Sequence, residues 1–194
     1  MTHFIQEYRI FFTRVAGILV VLFYLFTGPA EHWNLFTDMT VDVFAFVLVL
    51  VATFGRLWAL AYISGNKTAR LVTKGPYSIV RNPLYLFSFI GIIGIGLASK
   101  NIVMLSALCT LFGLYYPFVI LAEERKLAKA HGDAFERYRS STPIFFPRFS
   151  LYRDRPDCTI DTRSFRRSFF SVMWFPLVYL FLLLFERLHE SSLL

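Results

Sequence analysis

The residues best suited to chemistry in this chain fall in two polar stretches. The first, LVTKGPYSIVRNPLY from Leu71 to Tyr85, is basic and rich in turn formers. The second, EERKLAKAHGDAFERYRSSTP from Glu123 to Pro143, mixes both charges. In the first, Gly75-Pro76 reads as a turn. Asn82 is expected to cap the helix that comes next, with Pro83 at its first position, and the free N–H groups of a helix start suit an anionic ligand. In the second, Glu123 and Glu124 read either as a solvated face paired with Lys and Arg one turn away, or as acceptors for ribose hydroxyls or a cationic cofactor. His131 reads as a packing or surface residue, or as a base. Arg56 stands outside both stretches, inside an apolar run, where a charge costs from about 3 to beyond 10 kcal/mol unless it meets a polar partner. It either snorkels to the nearby surface or clamps a carboxylate at the membrane boundary.

The elements that must position these residues are apolar runs at 10–28, 41–63, 84–99, 102–121 and 169–185. Their lengths bracket the roughly 20 residues a helix needs to cross a bilayer. With 56% hydrophobic and 19% aromatic residues among 194, the chain is too apolar for a soluble domain. The expected fold is therefore all-α: one integral membrane domain, 1–194, with five transmembrane helices. The first run lacks a clear cleavage site and is expected to be a retained span. Only Lys100 and Asn101 separate the third and fourth runs, which forces an antiparallel hairpin. Gly91, Gly94, Gly96 and Ala98 allow close helix contact there. Their G-x-x-G-x-G pattern is not a dinucleotide fingerprint, because no strand precedes it.

Charge sets the expected orientation. Arg9 and Arg14, then Lys67, Arg70, Lys74 and Arg81, then eleven Lys and Arg between Glu123 and Ser168 fall on one side; Lys100 and Arg187 fall on the other. That asymmetry puts the amino terminus and both polar regions, 64–83 and 122–168, in the cytoplasm. The net charge of +7 thus follows membrane topology and does not call for a nucleic-acid partner. Glu124, Leu127, His131, Phe135 and Tyr138 recur at spacings of three and four, which predicts an amphipathic helix continuing the fourth span. Gly132 weakens it, and Pro143 and Pro147 end it. Arg148 to Arg167 reads as an irregular connector on anionic headgroups. Cys109 and Cys158 stand alone, so neither a disulfide framework nor a metal site is expected.

Lys-Gly-Pro-Tyr (74–77), Arg-Asn-Pro-x-Tyr (81–85), Glu-Glu-x-x-Leu (123–127), Gly132, Tyr138 and Pro143 together resemble the isoprenylcysteine carboxyl methyltransferases, part of a wider set that includes the phospholipid N-methyltransferases. The resemblance runs from about Arg56 to Pro147. It departs at Asn82, where that family usually has His. It implies S-adenosylmethionine (SAM) as cofactor, with S-adenosylhomocysteine as product. The pocket would be lined by Lys74, Gly75, Tyr77, Arg81, Asn82, Tyr85, Glu123, Glu124, His131, Phe135 and Tyr138. Arg56, Arg81 and Glu123 would carry catalysis. The implied acceptor is a prenylcysteine or similar isoprenoid lipid carboxylate, which is already ionised at neutral pH and needs orientation instead of a base. Phospholipid N-methylation is the alternative, followed by an NADPH sterol-reductase-like enzyme and by a non-catalytic scaffold or transporter. The bilayer and a lipophilic substrate are the expected partners, in the cell membrane of a prokaryote or the endoplasmic reticulum of a eukaryote.

Overall fold

The computed structural model describes Tyr24 and residues 34–64, 70–154 and 160–190. The expected span at 10–28, apart from Tyr24, lies outside the described residues, as do Lys67 and Cys158. Among the described residues every regular element is helical. They are α1 (Leu35–Ile63), α2 (Pro76–Ile79), α3 (Pro83–Ala98), α4 (Ile102–His131), α5 (Asp133–Ser141), α6 (Thr162–Val172) and α7 (Trp174–Glu190), with one 3₁₀ turn at Phe149–Leu151. Among the described residues three helices are long and apolar enough to cross a membrane: α1, α4 and the stretch Ser168–Leu188; α3 is shorter. Large apolar side chains such as Phe36, Val43, Phe54, Leu114 and Phe118 face outward, as a lipid solvent allows.

Helix α1 begins at Leu35, ahead of the expected 41. The cause is local: Asn34 Oδ1 accepts from the Thr37 N–H at 2.9 Å, and Asp38 sits in the first turn, so residues read as loop serve as cap and first turn. The last expected span is likewise two helices meeting at Met173. Pro176 has no N–H for the Val172 carbonyl, which explains the break. Helix α4 runs unbroken from its Asn101 cap to His131, extending span four into the polar region as expected. The single amphipathic helix does not continue beyond that. Gly132 takes φ +48°, and α5 restarts after it.

Packing is closest between α1 and α3. A Cβ on Gly94 would lie 3.0 Å from the Ala45 carbonyl oxygen, one on Gly55 would overlap the Phe87 ring, and one on Gly91 would overlap Phe175. Small residues therefore let three helices meet almost backbone to backbone. Tyr24, Ala45, Val49, Ala98, Met104, Tyr179 and Leu182 form the core.

Lys100, expected as part of the short turn between the third and fourth runs, is buried there. Its side chain is 2% exposed, and its ammonium pairs with Glu186 at 2.5 Å, Asp38 at 2.6 Å and Asp42 at 3.2 Å. Burial alone would lower its pKa, but hydrogen bonds to Asp38 and Glu186 outweigh that, so the shift is upward and the charge is held. Asp38 and Asp42, one turn apart at the edge of an apolar run, were the legible signal for this cluster.

The region after α5 also differs from expectation. Residues 143–153 cross the 75–81 stretch in opposite chain direction, through Arg81 N–H to the Pro143 carbonyl (2.8 Å), Arg148 N–H to that of Ile79 (2.9 Å) and Gly75 N–H to that of Arg153 (2.8 Å). The first part of the supposed connector is thus a strap across the first polar stretch.

Candidate functional site

The site is built on the turn at Gly75. Its φ of +62° is left-handed, and a Cβ there would enter the Tyr62 ring. Ser78 Oγ donates to the Gly75 carbonyl at 2.6 Å and accepts from the Arg153 N–H at 3.0 Å, fixing the turn against the strap. Replacing Gly75 with Ala is expected to cost about 1–3 kcal/mol from backbone strain, with displacement of Tyr62 adding to it. Thermal unfolding in detergent should show a Tm lower by roughly 2–12 °C; an unchanged Tm would mean the turn relaxes freely.

One buried carboxylate joins the two polar stretches. Glu124, 7% exposed, lies 3.0 Å from Arg81 Nε and accepts from Asn82 Nδ2 at 3.4 Å. Asn82 Nδ2 also donates to the Ile144 carbonyl at 3.2 Å, and Arg81 Nη1 donates to the Arg139 carbonyl at 2.6 Å. Asn82 does stand at the N-cap position, with Pro83 after it, but its side chain makes no capping bond. The expected cap is corrected: the amide is drawn instead to a charged acceptor and a strap carbonyl, a stronger pull than one helix N–H.

Glu123 points the other way and is exposed. Tyr85 donates to its Oε2 at 2.6 Å and meets Tyr116 edge-on at 5.3 Å. Tyr138 donates to the Tyr77 carbonyl at 2.7 Å, and burial raises its phenol pKa so that it remains a donor. Phe135, 1% exposed, packs beside Tyr138. His131 has a buried Nε2 with no protein partner. Lys74 is exposed beside the turn. The fold therefore gathers most of the expected residues, with Arg81, Asn82 and Tyr138 engaged in holding the two stretches together.

Arg56 turns inward instead of snorkelling. Its Nη1 donates to Ser88 Oγ and, at 3.3 Å, to the Leu84 carbonyl, while the guanidinium lies 5.5 Å from the Phe175 ring centre. Ser88, Phe175, Tyr116 and the Ile144 carbonyl escaped sequence reasoning. A serine within an apolar helix was a usable signal for the first; nothing in the sequence marked the others.

The sequence model of the phospholipid methyltransferase family matches residues 39–134. The nickel-cobalt-cadmium resistance protein NccN of Alcaligenes xylosoxydans xylosoxydans is 38% identical over 172 residues, 89% of this chain and 80% of that protein. The cobalt-zinc-cadmium resistance protein CzcN of Cupriavidus metallidurans is 36% identical over the whole chain and 89% of its own length. The protein-S-isoprenylcysteine O-methyltransferase of Schizosaccharomyces pombe is 33% identical over 82 residues, 42% of this chain and 35% of that enzyme. The chain belongs to the wider phospholipid methyltransferase family. No solved structure matches it.

As a phospholipid methyltransferase family member it is a membrane protein with a methyltransferase domain. The family match includes Arg56, Arg81, Asn82, Tyr85, both glutamates and His131; Phe135, Tyr138 and the strap fall beyond it. Among the described residues no group of three or more His, Cys, Asp or Glu side chains is placed to hold a metal ion.

Proposed function

We propose that this protein is a SAM-dependent methyltransferase that esterifies the carboxylate of a prenylcysteine or similar isoprenoid lipid at the membrane–cytoplasm boundary. The proposal includes the single five-span domain with a cytoplasmic amino terminus. The membrane would be the cell membrane in a prokaryote, or the endoplasmic reticulum in a eukaryote. The observation that carries the reading is Arg56, a cation held among apolar helices by α3 and Phe175. Such a cation suits an anionic head on a lipid tail.

The residues present fit the cofactor. The exposed Glu123 carboxylate suits ribose hydroxyls, the Tyr85 and Tyr116 rings suit a sulfonium cation, and the unpartnered His131 Nε2 suits a polar group of the nucleoside. SAM supplies an electrophilic methyl group when bound. Arg56 would keep the acceptor carboxylate ionised and oriented, while the apolar faces of α3 and α7 exclude water around it. Glu124, Arg81 and Asn82 would keep the two polar stretches in register behind the site.

The second reading is phospholipid N-methylation, favoured by the family match over 39–134. An ammonium must lose a proton before it attacks, and His131 would be the base. NccN and CzcN are named for metal resistance; in either reading methyl transfer would alter the membrane, and no metal ligation by this chain is invoked.

The test is transfer of tritiated methyl from SAM by the purified protein in detergent, with N-acetyl-farnesylcysteine or phosphatidylethanolamine as acceptor. Alkali-labile label in the first is the expected result, because an ester hydrolyses and an N-methyl group does not. Alkali-stable label in the phospholipid alone would replace the first reading with the second. Label in neither would end both.

A further inference from the structure

Two buried donors near the site have no protein partner. The Tyr77 side chain is 7% exposed, and its hydroxyl makes no hydrogen bond. Arg56 Nε is buried and equally unused, although Nη1 of the same guanidinium is engaged. A buried donor left unmade costs far more than a typical hydrogen bond contributes, so two together point to a ligand that accepts from both.

Their surroundings say which kind. Burial pushes the Tyr77 phenol well above its ordinary range, with Glu123, Tyr138 and Tyr85 pushing the same way, while the Arg56 guanidinium pulls it down. The phenol is therefore a neutral donor, on a short helix that packs against α1, the helix that carries Arg56. The backbone that carries it is anchored, because Tyr138 donates to the Tyr77 carbonyl and the Gly75 turn fixes α2 from the other side. A guanidinium N–H and a phenol O–H make a cradle of donors and one positive charge. That is the complement of an oxyanion and a poor match for an ammonium.

We infer that Tyr77 is a positioning residue which, with Arg56 Nε, holds an anionic oxygen of the lipid acceptor. The chemistry is shared by a carboxylate and by a phosphodiester, so the same cradle serves either source. The inference deepens the methyl-transfer reading and rests on it for the chemical step, but the cradle is tested by binding alone.

The experiment measures equilibrium binding of tritiated N-acetyl-farnesylcysteine, of its methyl ester, and of tritiated lysophosphatidylethanolamine. The proteins compared are the full chain, Tyr77→Phe and Arg56→Lys, all in the same detergent. Tyr77→Phe keeps the ring, and gel filtration with thermal unfolding checks that each variant is folded. The expected result is a loss of about tenfold to a hundredfold in affinity for one oxyanion ligand in Tyr77→Phe, the scale of a hydrogen bond to a charged group, with the ester unaffected. Loss for the free acid identifies a carboxylate; loss for the lysophospholipid identifies a phosphodiester. Equal affinity of wild type and Tyr77→Phe for both anions, an equal loss for the ester, or no binding of either anion by wild type would overturn the inference. Methyl transfer failing while the affinity loss holds would overturn the functional reading and leave the cradle standing.

Discussion

Replacing Arg56 with Ala is expected to lower kcat/KM for the lipid acceptor by about 10²–10³, the usual consequence of removing one preorganised charge-stabilising donor. SAM affinity, measured by calorimetry, should stay within about twofold, since its expected ligands lie on Glu123, Tyr85 and their neighbours. The fold should survive. Ser88 Oγ already donates to the Leu84 carbonyl at 2.6 Å, so truncation strands no hydroxyl in the apolar interior. Turnover unchanged in Arg56→Ala would end the idea that this guanidinium orients the acceptor. Loss of SAM binding together with turnover would instead make Arg56 part of the cofactor pocket.

The second large effect lies at the opposite end of the bundle. Lys100→Ala leaves Asp38, Asp42 and Glu186 around a site with no counter-charge, and an uncompensated buried ionic group costs about 3–5 kcal/mol. Thermal unfolding in detergent should show Tm lower by roughly 6–20 °C. Neutralising partners in the same background, as in Lys100→Ala combined with Asp42→Asn and Glu186→Gln, should recover much of it. The cluster joins α1, the α3–α4 turn and α7, so the loss should appear as weakened packing of the whole bundle. A Tm that does not move would show that the three carboxylates take up protons at no cost.

Helices were the easiest thing to read, because a lipid solvent leaves the backbone few alternatives. The apolar runs located α1, α3, α4 and α7, with α3 placed to within one residue at each end. Their ends were harder, since Thr37, Asp38 and Thr40 look like loop and act as a helix start. The site's polar residues were legible as a motif. Which bond each would make was not. Asn82 was read from its neighbour Pro83 as a cap, but its amide is taken by Glu124 and Ile144, 42 and 62 positions away. Local spacing carries no record of such partners. The same is true of Lys100, whose counter-charges come from both ends of the chain, and of Phe175 beside Arg56. Gly75 shows the opposite case: its turn chemistry was plain in sequence, and the structure adds only what its missing side chain makes room for.

The strap bears on how the protein is made. A nascent chain that has reached Ser141 already carries Arg56, Tyr77, Tyr85, Glu123 and Tyr138, and its hairpin of α3 and α4 can form from neighbouring sequence alone. The Gly75 N–H nevertheless finds its acceptor only at Arg153, and the Ile79 carbonyl its donor only at Arg148. Until those residues emerge from the ribosome, the Gly75 turn lacks its bonds to the strap, although Glu124 and Tyr138 already hold Arg81, Asn82 and the Tyr77 carbonyl. Membrane insertion and completion of the site are therefore separate events during translation, with the second governed by a loop closure of nearly eighty residues, the slow class of contact in folding.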